Sequence, residues 1–196
     1  MSTTSAGTRE RLLAAAQTLI EEGGYAAASV IAIAERAGVA SGTLYRHFAS
    51  KEELFVEVFR SVCAREEQAM GEAAERLPGE TAVVRLETVL ATFAQRALRN
   101  PRLAWALLAE PVDPRVDAER LAYRERYAAL IGKTLQDGIE AGELPEQNVA
   151  LSAAALVGGC GEALVGPLSP VAHRGPAGDE VVAALRTFVR RAVGAR

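Results

Sequence analysis

Gly38 separates two apolar-patterned segments that are each too short to be stable as isolated helices. Before it, Ser29 offers an N-cap, and Ile31, Ile33, Ala34 and Ala37 recur at helical spacing. After it, Ser41 to Phe48 resumes the pattern almost at once, with Leu44 and Phe48 four residues apart and so on one face. Glycine at the junction permits the left-handed backbone that a tight turn needs. Two short helices that must hold each other around such a turn make a helix-turn-helix.

The flanking segments extend this into an all-α fold. Upstream, Leu12, Leu13, Ala16, Leu19 and Ile20 follow the spacing of an amphipathic helix that starts near Thr8 and ends at Gly23-Gly24. Downstream, Ser50-Lys51-Glu52-Glu53 is a capping box: the serine hydroxyl accepts from the third amide and Glu53 reaches back to the serine amide. A long helix carrying Leu54, Phe55, Val58, Phe59 and Val62 starts there. Further helices are predicted from about Thr81 to Arg99, from Asn100-Pro101 to Pro111, from Asp113-Pro114 to Gly142, over 149–165 and from Asp179 to about residue 193. About nine helices exhaust the chain. They divide into a three-helix head at 1–60 that contains the helix-turn-helix, led by a flexible arm at 1–8, and a larger helical domain at 61–196.

Composition narrows the function class. Two cysteines, Cys63 and Cys160, in 196 residues make a disulfide framework unnecessary and fit a reducing cytoplasm. Val149 to Val165 is nearly uncharged, but glycines and Glu162 interrupt it and it is short for a membrane span, so it reads as a helix buried in protein. The two histidines are His47, within the helix-turn-helix, and His173, in a proline-rich loop that reads as solvated. Neither cysteine has a partner histidine nearby in sequence, and no cluster has metal-ligand spacing. The expectation is a chain without catalysis, metal or cofactor. A net charge of −3 gives no general attraction for nucleic acid, so affinity for DNA must come from placed residues.

The segment AASVIAIAERAGVASGTLYRHFASKEELF, residues 27–55, resembles the tetracycline-repressor (TetR) family. Gly38-Val39, Gly42-Thr43-Leu44-Tyr45-Arg46-His47-Phe48 and Ser50-Lys51-Glu52 match that family's pattern almost position by position; Ala40 and Ser41 depart from it, standing where many relatives carry serine and then lysine. With the start of the short helix at Ser41 in the major groove, Ser41, Gly42 and Thr43 would meet base edges. Leu44 and Phe48 facing inward leave Tyr45, Arg46 and His47 toward the groove walls, and the resemblance assigns Tyr45 and His47 to phosphate. Lys51, in the first turn of the next helix, can complete a phosphate site, and Ser29 can do the same with its hydroxyl and amide. Residues 1–60 nevertheless carry six Lys and Arg against seven Glu.

Beyond about residue 65 the resemblance is architectural. It implies a homodimer that binds a double-stranded DNA operator as a repressor and is released by a small-molecule effector. Phe93, Trp105, Leu108, Tyr123 and Tyr127 are candidates for an apolar effector cavity, with Glu162 or Arg124 as polar anchor. Val157, Leu164, Leu185, Phe188 and Val189 are candidates for the dimer interface, where Ala153, Ala154, Ala155, Gly158 and Gly159 would let helices approach closely. Two other classes fit less well: a helical ligand-binding protein whose head no longer reads DNA, and an all-α enzyme.

Overall fold

The computed structural model describes residues 3–111, 113–171 and 178–195. Among them lie nine helices and no strand: α1 (Thr3–Ala27), α2 (Val30–Ala37), α3 (Ser41–His47), α4 (Lys51–Glu75), α5 (Ala82–Arg99), α6 (Pro101–Leu108), α7 (Pro114–Glu140), α8 (Val149–Leu168) and α9 (Gly178–Ala192). Residues 3–8, expected in a flexible arm, form the first turns of α1, and Met1 and Ser2 lie outside the described residues, as does His173.

Most helix ends follow from capping chemistry. Ser29 Oγ accepts from the Ala32 amide at 3.1 Å, and Gly38 closes α2 with φ 67°, its left-handed backbone bringing the Val39 amide to the Ala34 carbonyl at 3.0 Å. Asn100 and Asn148 cap α6 and α8 through their side-chain oxygens. The box at α4 departs in one detail. Ser50 Oγ accepts from the Glu53 amide at 3.2 Å, but Glu53 accepts from the amide of Ala49, at 2.6 Å, instead of from Ser50's. The orphan N–H presented to the carboxylate is thus one residue farther out.

The chain forms two compact units. The head is Met1–Val62 together with Asn100–Arg120; the body is Cys63–Arg99 together with Leu121–Arg196. Recruitment of the second segment to the head has a packing cause and a polar one. Leu103 and Ala106 of α6 are buried in the same core as Leu12, Ile33, Leu44, Phe48 and Leu54. At Gly24, which breaks α1 with φ 75° and ψ −174°, Arg102 Nη2 donates to the Gly23 carbonyl at 2.9 Å, and the Tyr25 amide donates to Glu110 at 3.4 Å. A Cβ at Gly24 would stand 3.0 Å from both Glu110 carboxylate oxygens, so glycine is required for backbone and for space. The Arg120 guanidinium then donates to the carbonyls of Ala106, Leu107 and Glu110, at 2.9, 2.8 and 2.6 Å, satisfying the open end of α6.

In the body α5 packs with α8 and α9, and Leu86, Leu90, Leu156, Leu164 and Val189 are buried. Glu87 on α5 is buried beside α9, its carboxylate 2.8 Å from Arg190 Nε. The reading of residues 149–165 as a helix buried in protein does not describe the single chain. α8 has a mean hydropathy of 1.6 over its most apolar stretch, yet 22% of that stretch is buried. Leu151 is 68% exposed, and Ala154, Ala155 and Gly158 are also exposed.

Candidate nucleic-acid interface

Seven residues make α3, and the core decides which of them face outward. Leu44 and the following Phe48 are 0% and 1% exposed, each contributing roughly 1.5–3 kcal/mol by leaving water. Their burial turns Tyr45, 57% exposed, and Arg46 to solvent, while Thr43 and His47 are half-buried. Ser41 and Gly42 are exposed at the start of the helix. Ala40, at the N-cap, provides no side-chain acceptor, so the first-turn amides lack a side-chain cap. Space is open where a Cβ of Gly42 would be, so packing within the chain does not require glycine there.

Two further groups flank α3. Lys51 begins α4 with its ammonium 4.9 Å from the centroid of the Phe55 ring, a seat that holds the side chain at the helix N-terminus. Ser29 uses an oxygen lone pair on the Ala32 amide and keeps its O–H as a donor. The acid excess of the head is answered by pairing. Arg9 meets Glu57 at 2.8 Å, Arg36 meets Glu22 at 2.6 Å, Arg60 meets Glu119 at 2.6 Å and Arg115 approaches Glu52 at 3.5 Å. The Arg36 hydrogen bond holds Glu22 below the usual carboxylate range; at Glu52 the helix amide, then the Ser50 hydroxyl, does the same. Among the described residues Arg46 and Lys51 carry no ion pair. Ile31, placed by periodicity in the apolar stripe of α2, is instead 62% exposed. Ile33, Ala34 and Ala37 define the buried side of α2, and Ile31 lies nearly a third of a turn from its centre, a signal the spacing contained.

The residues expected to line an effector cavity are divided. Phe93, Tyr123 and Tyr127 cluster in the body, with ring centroids 6.1 Å apart for Phe93–Tyr127 and 6.0 Å for Tyr123–Tyr127. The Tyr127 hydroxyl donates to the Cys63 carbonyl at 3.2 Å, and burial raises its pKa far above the ordinary phenol range. Trp105 and Leu108 are half-buried on α6, in the head unit. Glu162 and Arg124 are exposed. Among the described residues no three His, Cys, Asp or Glu are grouped to hold a metal ion.

The residues expected at a dimer interface separate as well. Leu164, Leu185 and Val189 are 0%, 4% and 0% exposed, and so belong to the protomer's own core. Val157 is half-buried, whereas Phe188 is 42% exposed, its ring lying over Gly159, where a Cβ would stand 3.1 Å away. An apolar groove of about 410 Å³ opens beside it, lined by Gly159, Ala163, Pro167, Ala184 and Phe188 among others. The exposed face of α8 carries Ala154, Ala155 and Gly158, expected where helices approach closely, together with Leu151, which that expectation does not include.

Residues 12–58, which contain α2, α3 and the start of α4, match the family model for bacterial regulatory proteins of the tetR family. The chain is 38% identical over 99 residues to the HTH-type transcriptional repressor KstR of Rhodococcus jostii, a match spanning 50% of this chain and 45% of that repressor. The chain thus covers about half the length of that relative. In fold it is similar to the fatty acid degradation regulator FadR of Bacillus halodurans, with a TM-score of 0.80 at 20% identity, covering 96% of this chain and 97% of that one. It is also similar to FadR of Bacillus subtilis in complex with stearoyl-CoA, with a TM-score of 0.77 at 23% identity over 94% and 97% of the two chains. The helix-turn-helix head, residues 12–58, thus carries the pattern of the tetR family of bacterial regulatory proteins.

Proposed function

We propose that this chain is a transcriptional repressor that binds a near-palindromic DNA operator as a homodimer and releases it when the body takes up a small molecule. The observation that carries the reading is the division of charge in the head: Arg9, Arg36, Arg60 and Arg115 are matched to carboxylates, while Arg46 and Lys51, on α3 and at the start of α4, make no such pair and are left for another anion. Tyr45, His47 and Ser29 add hydrogen-bond donors around them, and Ser41, Gly42 and Thr43 lead α3 toward base edges. In this reading the cluster of Phe93, Tyr123 and Tyr127 belongs to the effector-binding body. A second copy covers the exposed face of α8 and Phe188, because an apolar surface of that extent is costly to leave in water. The protein acts in the cytoplasm and carries out no catalysis.

The effector class is drawn from the FadR complex: a long acyl chain joined to a polar carrier, as in the stearoyl-CoA of that structure. Release requires that the ligand prefer the form that does not fit the operator. The test is retardation in a gel of duplex DNA from beside the chain's own coding sequence, with and without stearoyl-CoA. Retardation by low protein concentrations that weakens steeply with salt, and is reversed by stearoyl-CoA, is the expected result. Absence of any retarded duplex at micromolar protein and about 50 mM salt would overturn operator binding; retardation indifferent to stearoyl-CoA would overturn the effector class alone.

A further inference from the structure

Ile31 is a large β-branched side chain held in water, 62% exposed, on an eight-residue helix where Ile33, Ala34 and Ala37 are buried and Val30 and Ala32 half-buried. It sits two residues beyond the Ser29 cap, in the first turn of α2. Its direction is fixed by a neighbour on the same helix. Arg36, five residues on and so about 140° further round, pairs with Glu22 of α1 at 2.6 Å. The Arg36 flank of α2 therefore faces α1, and Ile31 projects from the opposite flank, away from α1. The other helix packed extensively against α2 is α3, whose outward side carries Tyr45, also exposed. Six large hydrophobic side chains are exposed among the described residues, and the helix-turn-helix holds two of them, Ile31 and Tyr45.

We infer that Ile31 is a specificity-determining residue that reads a thymine through its 5-methyl group in the major groove. This rests on the proposed operator binding. The chemistry selects the partner: Ile31 has neither hydrogen-bond donor nor charge, so it gives nothing to a phosphate, a ribose hydroxyl or a polar base edge. In the major groove the thymine methyl is the apolar group on offer. Burying one methyl against it is worth about a four-fold preference. An aliphatic side chain beside Ser29 thus supplies base discrimination next to a group that supplies position.

The test uses the full-length chain and a randomised duplex library, comparing sequences retained by the native protein with those retained by Ile31→Ala. Because Ile31 is exposed, the variant keeps its fold, which its unchanged melting curve verifies. The expected result is one thymine position per half-site whose preference falls about four-fold in the variant. In the selected duplex, replacing that thymine by deoxyuridine, which removes only the methyl, weakens the native protein by a similar factor and leaves Ile31→Ala unaffected. The salt dependence is the same for both proteins, since no charge is lost. If Ile31→Ala selects the same sequences with the same preferences, or still loses affinity on methyl removal, Ile31 does not read thymine even though operator binding stands. If the native chain retains no duplex at all, operator binding and the role of Ile31 fall together.

Discussion

The head and the body differ in what each leaves unfinished. In the head the core is closed: Leu12, Leu44, Phe48 and Leu54 are at most 1% exposed, and the outward residues include a tyrosine, an arginine and a seated lysine. In the body a buried core of Leu86, Leu156, Leu164 and Val189 coexists with an open apolar face on α8. The open valence of the head is electrostatic and that of the body is hydrophobic. Such surfaces call for different partners: a polyanion for the first, and for the second an apolar surface of the same kind, which a two-fold copy would supply under the proposed function.

The largest effect should come from spoiling the apolar face. Gly158→Arg places a charge in the middle of it, at a position where a Cβ meets nothing within the chain, so the protomer itself should fold normally. Loss of the dimer removes the avidity of two linked heads and should weaken operator binding by a factor on the order of 10²–10⁴. Light scattering alongside gel retardation checks both halves of this statement. A variant that stays dimeric would show that the face of α8 is not the interface.

Two glycines sharpen the contrast within the head. Gly24→Ala forces a side chain into φ 75°, ψ −174° and against the Glu110 carboxylate, and should cost about 1–3 kcal/mol in a urea melt. Gly42→Ala should instead raise stability by about 0.5–1 kcal/mol, because alanine favours the helix and nothing obstructs it, while weakening duplex binding by hindering backbone approach. A Gly42→Ala protein that binds duplex as tightly as the native one would remove α3's start from the contact surface.

A smaller effect separates free from matched cations. Lys51→Ala should lower the slope of log affinity against log salt by about 0.9, equivalent to roughly three- to four-fold across a fourfold salt range, and should weaken all sequences alike. Arg36→Ala should leave that slope unchanged, because its partner is Glu22. Tyr45→Phe should weaken binding without altering the slope. Titrations at four salt concentrations distinguish the three, and equal slopes for Lys51→Ala and the native chain would remove Lys51 from the phosphate contacts.

The head was more legible in the sequence than the body because its signals are short-range. Ser29, Gly38 and Ser50 act within three to five residues, and the Leu44–Phe48 spacing fixes the outward face of α3 without knowledge of anything distant. Apolar spacing alone puts Ile31 in the stripe of α2, whereas its angle about the helix axis sets it apart from Ile33 and Ala37. The attachment of 100–120 to the head depends on Arg102 reaching Gly23 and Glu110 reaching Tyr25, partners 79 and 85 residues away that no local pattern records. α8 failed for another reason. It is apolar around its circumference, so periodicity cannot tell the face that packs on α5 and α9 from the face left open, and Leu164 was credited to an interface when it lies in the core.

The smallest effect distinguishes the units by alkali. Both cysteines, Cys63 and Cys160, belong to the body, and the single tryptophan, Trp105, belongs to the head. Burial pushes the Cys160 thiol from its ordinary 9.0 up to about 11. The unfolded chain therefore gives up this proton at lower pH than the folded chain, binds fewer protons between the two values, and gains in relative stability as pH rises through them. Native stability is fully present below pH 9 and declines from there to about 11, with a loss of less than about 1 kcal/mol by pH 9.5. Tyr127, raised by burial from an ordinary 10.0, acts with the same sign at higher pH. Thiol labelling during mild urea challenge at pH 8 and 9.5 reports the body, and Trp105 fluorescence reports the head. Labelling should accelerate at pH 9.5 beyond the chemical effect on a free thiol, with Trp105 emission unchanged, and in Cys160→Ala the difference in urea stability between the two pH values should shrink. Unfolding of both probes together, with no change of pH slope in Cys160→Ala, would mean that head and body melt as one and that their separation in packing has no counterpart in stability.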